Sequence, residues 1–186
     1  MAALLAGAGS GRSLDWRTAR TCPKTAPSAK VGVMTSAYLT PEAMLEIAVQ
    51  EARAGAAEGG VPVGGAMFGP DGTLLGRGRN RRVQDDDPSV HGETSAFRAA
   101  GRQRSYRRVT LATTLSPCWY CAGLVRQFGI GRLIVGEDRT FAGQHAWLAQ
   151  NGVEVLLLDD PECFNLMTRF IEERPDVWNE DIGVDE

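Results

Sequence analysis

The sequence predicts an α/β fold, a three-layer α/β/α sandwich around a mixed five-stranded sheet. Three observations carry that reading. Five short runs rich in β-branched and apolar residues read as strands. The first two are separated by the turn Pro70-Asp71-Gly72, which makes them an antiparallel hairpin. The later runs alternate with helical stretches, and a helix between strands implies a parallel crossover and a sheet covered on both faces.

Thr40-Pro41-Glu42 opens the first helix with a capping hydroxyl, a proline at the first helical position and an acid in the first turn. Met44, Ile47, Ala48 and Ala52 follow at helical spacing, and Gly59-Gly60 ends the run. VPVGGAMFG (61–69) and TLLGRGRN (73–80) are the hairpin strands, and DDDP (85–88) is a loop. HGETSAFRAAG (91–101) is a helix stopped by Gly101. RRVTLATTL (107–115) is a strand, and Pro117 begins a helix that runs through Phe128. RLIVG (132–136) is a strand, HAWLAQNG (145–152) a helix with a glycine stop, and VEVLLL (153–158) the last strand. Pro161 opens a long helix to Glu173, and RPDVWNEDIGVDE (174–186) reads as an irregular tail.

With 43% apolar and 23% charged residues, the chain has the balance of a soluble globular protein, and no apolar run is long enough to span a bilayer. Residues 1–37 carry five basic residues against one acid, a local +4. Against the total of −3 this leaves −7 for residues 38–186. An acidic folded part argues against a nucleic-acid partner. The basic clusters RGRNRR (77–82) and RQRSYRR (102–108) read as solvated surface. Residues 1–37 show no sustained apolar period and read as a disordered tail, with Cys22 given no role and Met34 a second candidate start. Their Arg- and Ser-rich composition also suits an organelle transit peptide, although a cytoplasmic location is the main expectation.

Four cysteines in a chain of this length do not suggest a disulfide scaffold. Cys118 and Cys121, at i and i+3 of a helix start, bring two sulfurs to nearly one face. A helix N-terminus favours their ionised forms, so the geometry alone suits a redox pair or half of a metal site. His91-Gly92-Glu93, at the mouth of the preceding helix, decides between them. H-x-E followed by P-C-x-x-C is the string of zinc-dependent base deaminases. One imidazole and two thiolates give zinc three ligands and leave a fourth position open, the pattern of catalytic zinc. A water activated there needs a base, and Glu93 is the candidate, inside the first turn while His91 stands at the helix boundary. Two rivals come from other classes. A thiol oxidoreductase would use C-x-x-C but leaves HGE unexplained. A closed structural zinc site would need a fourth ligand, and His145 would have to move in from a helix boundary to supply it.

On HGETSAFRAAGR and TTLSPCWYCAG the chain resembles the cytidine deaminase-like superfamily, and within it the fungal-type cytosine deaminases. The resemblance runs over about residues 40–183 and includes GGVPVGGAMF, GRGRN, LIVGED and FIEERPDVWNEDIG. It implies one Zn2+ per subunit on His91, Cys118 and Cys121, with Glu93 as proton shuttle. It implies a pyrimidine read by Asn80, by the backbone amides of Gly92 and Cys118, and by the carbonyl of Ser116. Phe141 would close over the base. Trp178 and Asp181 would form a C-terminal lid, an indole on the ring and a carboxylate accepting a ring N–H. It implies hydrolysis of cytosine to uracil and ammonia, as in pyrimidine salvage, by a homodimer. The alternative is the same chemistry on guanine, cytidine or adenosine in tRNA. His145, Cys163 and Glu137 read as structural. Trp119-Tyr120 and Val63 depart from the family pattern, which leaves pocket size and dimer packing open.

Overall fold

The computed structural model describes residues 39–184, so the expectations placed on residues 1–37, including Cys22, lie outside the described residues. The chain forms α1 (Pro41–Ala57), β1 (Gly64–Phe68), β2 (Leu74–Arg79), α2 (Arg82–Asp85), α3 (Gly92–Ala100), β3 (Thr110–Leu115), α4 (Trp119–Phe128), β4 (Arg132–Glu137), α5 (His145–Gln150), β5 (Glu154–Leu157), α6 (Pro161–Glu173) and α7 (Pro175–Ile182). The sheet has five strands in the order β2-β1-β3-β4-β5. β1 pairs antiparallel with β2 and with β3, whereas β3–β4 and β4–β5 are parallel. The mixed sheet of the sequence reading is therefore present, with its hairpin at one edge.

Alternation along the central strands divides the core into two layers. Ala66, Phe68, Ala112 and Ile134 point to one face, where Met44, Leu45, Ala48 and Val49 of α1 and Cys163 of α6 cover them. Met67, Leu111, Leu133 and Val135 point to the other, under Ala96 of α3, Ala122 and Val125 of α4 and Leu148 of α5. β1 and β3 are buried along their whole length, as strands covered on both faces must be.

The helix starts follow the sequence signals. Thr40 Oγ1 accepts from Ala43 N (3.2 Å), and Asp160 Oδ1 accepts from Glu162 N and Cys163 N (both 2.9 Å). Two readings need correction. DDDP is not all loop: Asp85 closes the short helix α2, and only the residues after it turn. The C-terminal stretch is not irregular either. α7 starts on Pro175, buries Val177, Trp178 and Ile182 against Val61, Val63, Leu115, Met167 and Phe170, and stops at Gly183 with φ 67°. Proline at the first helical position and glycine just past the last were the signals for it.

Candidate active site

Two helix N-termini meet beside the central strands. His91 caps α3 in an extended conformation, and Glu93 lies in the first turn. Cys118 caps α4, and Cys121 lies in its first turn, where Ala122 N donates to Cys118 O at 2.8 Å. His91 N donates to Thr94 Oγ1 (2.9 Å). Its Nδ1 stands 3.6 Å from each of the two sulfurs. Among the described residues, these three donor atoms lie within 4.8 Å of one another. Two soft sulfurs and one imidazole nitrogen are a donor set for zinc, so the residues fit the metal that the sequence motif implies.

The remaining imidazole nitrogen, Nε2, is 3.4 Å from Asp181 Oδ1. A carboxylate behind a ligating histidine fixes its tautomer and orientation. Tyr120 meets the same ring edge-on, with centroids 5.6 Å apart. Trp119 meets Trp147 in the same manner at 5.7 Å. Both residues between the cysteines therefore have a packing partner, although both remain more than half exposed.

The charges follow from this crowding. The Cys121 thiol donates to Cys118 and pulls it down to about 4, despite its burial, while Cys121 is pushed up. Burial works against an imidazolium at His91, but the Cys118 sulfur, Glu93 and Asp181 outweigh it and raise His91 to about 9. Burial, with the Cys118 charge behind it, lifts Glu93 above the ordinary carboxylate range, and burial lifts Asp181 likewise.

These groups face a pocket of about 350 Å³, mouth included, lined by Val63, Asn80, His91, Glu93, Leu115, Ser116, Cys118, Phe141, Trp178, Asp181 and Ile182. Of the residues singled out in the sequence, Gly92 and Cys121 stand behind the wall rather than on it. Cys121 is fully buried, and Gly92 lies on the backbone of β1, where an added Cβ would come within 2.9 Å of Val63 O. The Gly92 amide is in the first turn, where no intrahelical acceptor is available. Asn80 is buried and held at both ends: Oδ1 accepts from Arg82 N (3.1 Å), and Nδ2 donates to Asp181 Oδ2 (3.4 Å). Trp178 and Phe141 meet edge-to-face at 5.8 Å across the mouth.

Sequence reasoning missed one residue here. Arg82, assigned to a solvated cluster, has only 8% of its side chain exposed and lies under α7 against Glu180 and Asp181. Its neighbours Arg77, Arg79 and Arg81 are paired with Glu51, Glu58 and Asp85, so this cluster is neutralised within the chain. Arg102, Arg104, Arg107 and Arg108 of the second cluster are exposed, as expected. His145, read as structural, does hold the site's edge. Its Nδ1 is 2.8 Å from Ser116 Oγ and its Nε2 3.4 Å from Asp138 Oδ2. Glu137 matches its structural reading: it is fully buried and accepts from Arg139 N (2.7 Å) and Thr140 N (3.0 Å), shaping the turn that presents Phe141.

Comparison with known proteins gives a consistent picture. Residues 40–137 match the model of the cytidine and deoxycytidylate deaminase zinc-binding region. The chain is 44% identical over 141 residues to the cytosine deaminase of Candida albicans, covering 75% of this chain and 94% of that one. It is 34% identical over 100 residues to a tRNA-specific adenosine deaminase of Haemophilus influenzae, covering 52% of this chain and 58% of that one. The solved structure of guanine deaminase from Nitrosomonas europaea superposes with a TM-score of 0.61 at 22% identity, over 70% of this chain and 84% of that one, a likeness of fold.

Proposed function

The chain belongs to the cytidine and deoxycytidylate deaminase family, and on that premise we propose that it hydrolyses cytosine to uracil and ammonia. The observation that carries the proposal is the pocket itself. A buried carboxylate, Glu93, stands beside the His91–Cys118–Cys121 cluster at its floor, with Trp178 and Asp181 across its mouth.

His91 Nδ1, Cys118 Sγ and Cys121 Sγ would hold the zinc, which would supply a Lewis acid able to acidify a water molecule. Glu93 takes the proton of that water and delivers it to the ring nitrogen beside the exocyclic amine. The water oxygen bonds to the carbon that bears the amine, and Glu93 moves that oxygen's remaining proton to the amine nitrogen, so that the C–N bond breaks and a carbonyl forms. Water and cytosine are consumed, and uracil and ammonia leave. Asn80 and Asp181 supply a donor and an acceptor for the ring edge, with the amide of Gly92 and the carbonyl of Ser116 near the reacting carbon. A bound base takes the place of the long 3.4 Å contact between Asn80 and Asp181. Phe141 and Trp178 pack on the ring and exclude water.

Trp178, Asp181 and Ile182 of α7 line the pocket, and with Asp181 accepting the ring N–H that a ribose would replace, the reading favours a free base over a nucleoside. Small-molecule chemistry also agrees with the internal pairing of Arg77, Arg79 and Arg81, which leaves little basic surface there for a nucleic acid. Among the described residues no helix is long and apolar enough to cross a membrane. A cytoplasmic homodimer acting in pyrimidine salvage completes the proposal. Exposed Trp119 and Tyr120 beside the metal cluster are the surface such a dimer would cover.

Incubating the zinc-loaded chain with cytosine, cytidine, adenine, guanine and creatinine, and measuring ammonia, tests the substrate. Cytosine should be turned over at least tenfold faster than cytidine, the order of discrimination a blocked ribose gives. Comparable rates would refute the lid reading, and release from guanine alone would move the substrate to a purine. Sedimentation equilibrium tests the dimer.

A further inference from the structure

Arg81 and Arg82 are adjacent arginines with opposite environments. Arg81 turns outward to Glu58 and Asp85 and is more than one third exposed. Arg82 turns inward and keeps only 8% of its side chain exposed. Its guanidinium reaches three acceptors, and all three belong to α7: Val177 O (3.5 Å), Glu180 Oε1 (3.0 Å) and Asp181 Oδ1 (3.2 Å). At the other end, its backbone N–H is held by the side chain of Asn80 (3.1 Å). One residue thus joins the β2 end of the pocket to the helix that crosses its mouth.

We propose that Arg82 is a positioning residue that fastens α7 over the pocket and sets how tightly the base is held. The inference rests on the deaminase reading for its substrate, but its geometry is independent of it. The planar guanidinium suits the task, because it can hold several acceptors at fixed angles where an ammonium offers a point charge. The three contacts are not equal. The Nε–H is buried and lies close to Asp181 Oδ1, yet it is not aligned with it as a hydrogen bond. That contact is an ion pair with no directed hydrogen bond, so it does not fix the angle at which the Asp181 carboxylate stands. Asp181 can turn toward a base while Val177 and Glu180 still keep the helix seated. Arg82 therefore separates two jobs: Glu180 and the Val177 carbonyl hold α7, and Asp181, whose Oδ1 meets Arg82 and His91, keeps Oδ2 to exchange Asn80 for a base.

The test uses the full-length zinc-loaded protein. Arg82→Gln should raise KM for cytosine about tenfold and change kcat by less than about threefold, since it loosens a binding segment and leaves Glu93 and the metal ligands in place. Amide exchange over residues 175–182 should speed up about tenfold, the signature of a helix that opens locally. Arg82→Lys should recover only part of both. Glu180→Gln, at an exposed site, should give the same changes at smaller size, and it decides the matter if Arg82→Gln fails to fold. Arg169→Gln, which loses an exposed pair with Glu173, is the control and should match wild type. Wild-type KM and unchanged α7 exchange in the Arg82 variants would overturn the proposal, and so would a loss of zinc in place of the KM shift. If the wild-type chain releases no ammonia from cytosine, the substrate reading falls. The exchange measurement still judges the latch.

Discussion

The pocket has two walls of different construction. His91, Glu93 and Cys118, with Cys121 behind them, lie at the starts of α3 and α4, against the fully buried strands β1 and β3. Across from them stand Phe141, on the turn after β4, and Trp178, Asp181 and Ile182, on α7 at the end of the described chain. The first wall is fixed by the sheet, and α3 approaches β1 so closely that Gly92 has no room for a Cβ. The second is laid on, held by a small apolar cluster and by one buried arginine. The difference separates two demands. Proton transfer and metal binding need atoms held to within a fraction of an ångström, whereas an enclosed base must enter and leave. On the proposed function, the rigid wall carries the chemistry and the attached wall carries recognition.

If that division is right, the largest effects come from the rigid wall. Removing the metal with a chelator, or replacing a ligand as in His91→Ala, should take activity to background. It should also lower the thermal midpoint by several degrees, because zinc bound only to the folded state stabilises it. Metal analysis alongside a melting curve checks both. Full activity after chelation would place the chemistry elsewhere. Next in size, Glu93→Ala should retain one zinc per chain and lose roughly a thousandfold or more in kcat, the scale of a lost general acid–base. An active, zinc-loaded Glu93→Ala protein would break the comparison at its centre.

Effects on the attached wall should be smaller and of another kind. Trp178 is 6% exposed and packs on Phe141 and the apolar cluster. Trp178→Ala should raise KM for cytosine by about tenfold to a hundredfold, because a stacking surface and the anchor of α7 go together. The global melting midpoint should move little, since α7 can open without the sheet. A large fall in kcat at unchanged KM would show that this wall takes part in the chemical step.

The two walls also differ in how far the sequence reveals them. His91, Glu93, Cys118 and Cys121 were legible because the chemistry fixes their spacing within two short strings, and each string opens a helix. The alternating strands and the helix caps at Thr40 and Asp160 were legible for the same reason: their causes are local. Arg82 was not, because charge says nothing about burial when the partners lie nearly a hundred residues away, on Val177, Glu180 and Asp181. α7 was missed because half of its eight residues are polar and its apolar side chains gain their value only on meeting Val63, Leu115 and Phe170. The close approach of Gly92 to Val63 O is likewise a property of α3 lying on β1, with no trace in composition.

His145 lies on the boundary between the walls, and the smallest effect is expected there. Asp138 Oδ2 near Nε2 favours the tautomer with its proton on that nitrogen, so Nδ1 accepts and Ser116 Oγ–H donates to it. Gln144 N also donates to Pro117 O at 2.7 Å, and an added Cβ on Gly143 would fall 2.7 Å from the Ser116 carbonyl. The loop that carries Phe141 is therefore docked on the turn that carries Ser116 and Cys118, with His145 as its clasp. His145→Ala should loosen the loop and raise KM by about threefold, with kcat nearly unchanged and less than about 1.5 kcal/mol lost in urea unfolding, the range of a single hydrogen bond. That split would assign His145 to the recognition wall. A fall in kcat at constant KM would instead mean that the clasp positions Ser116 and Cys118 themselves, and the line between rigid chemistry and attached recognition would then run through α5 rather than before it.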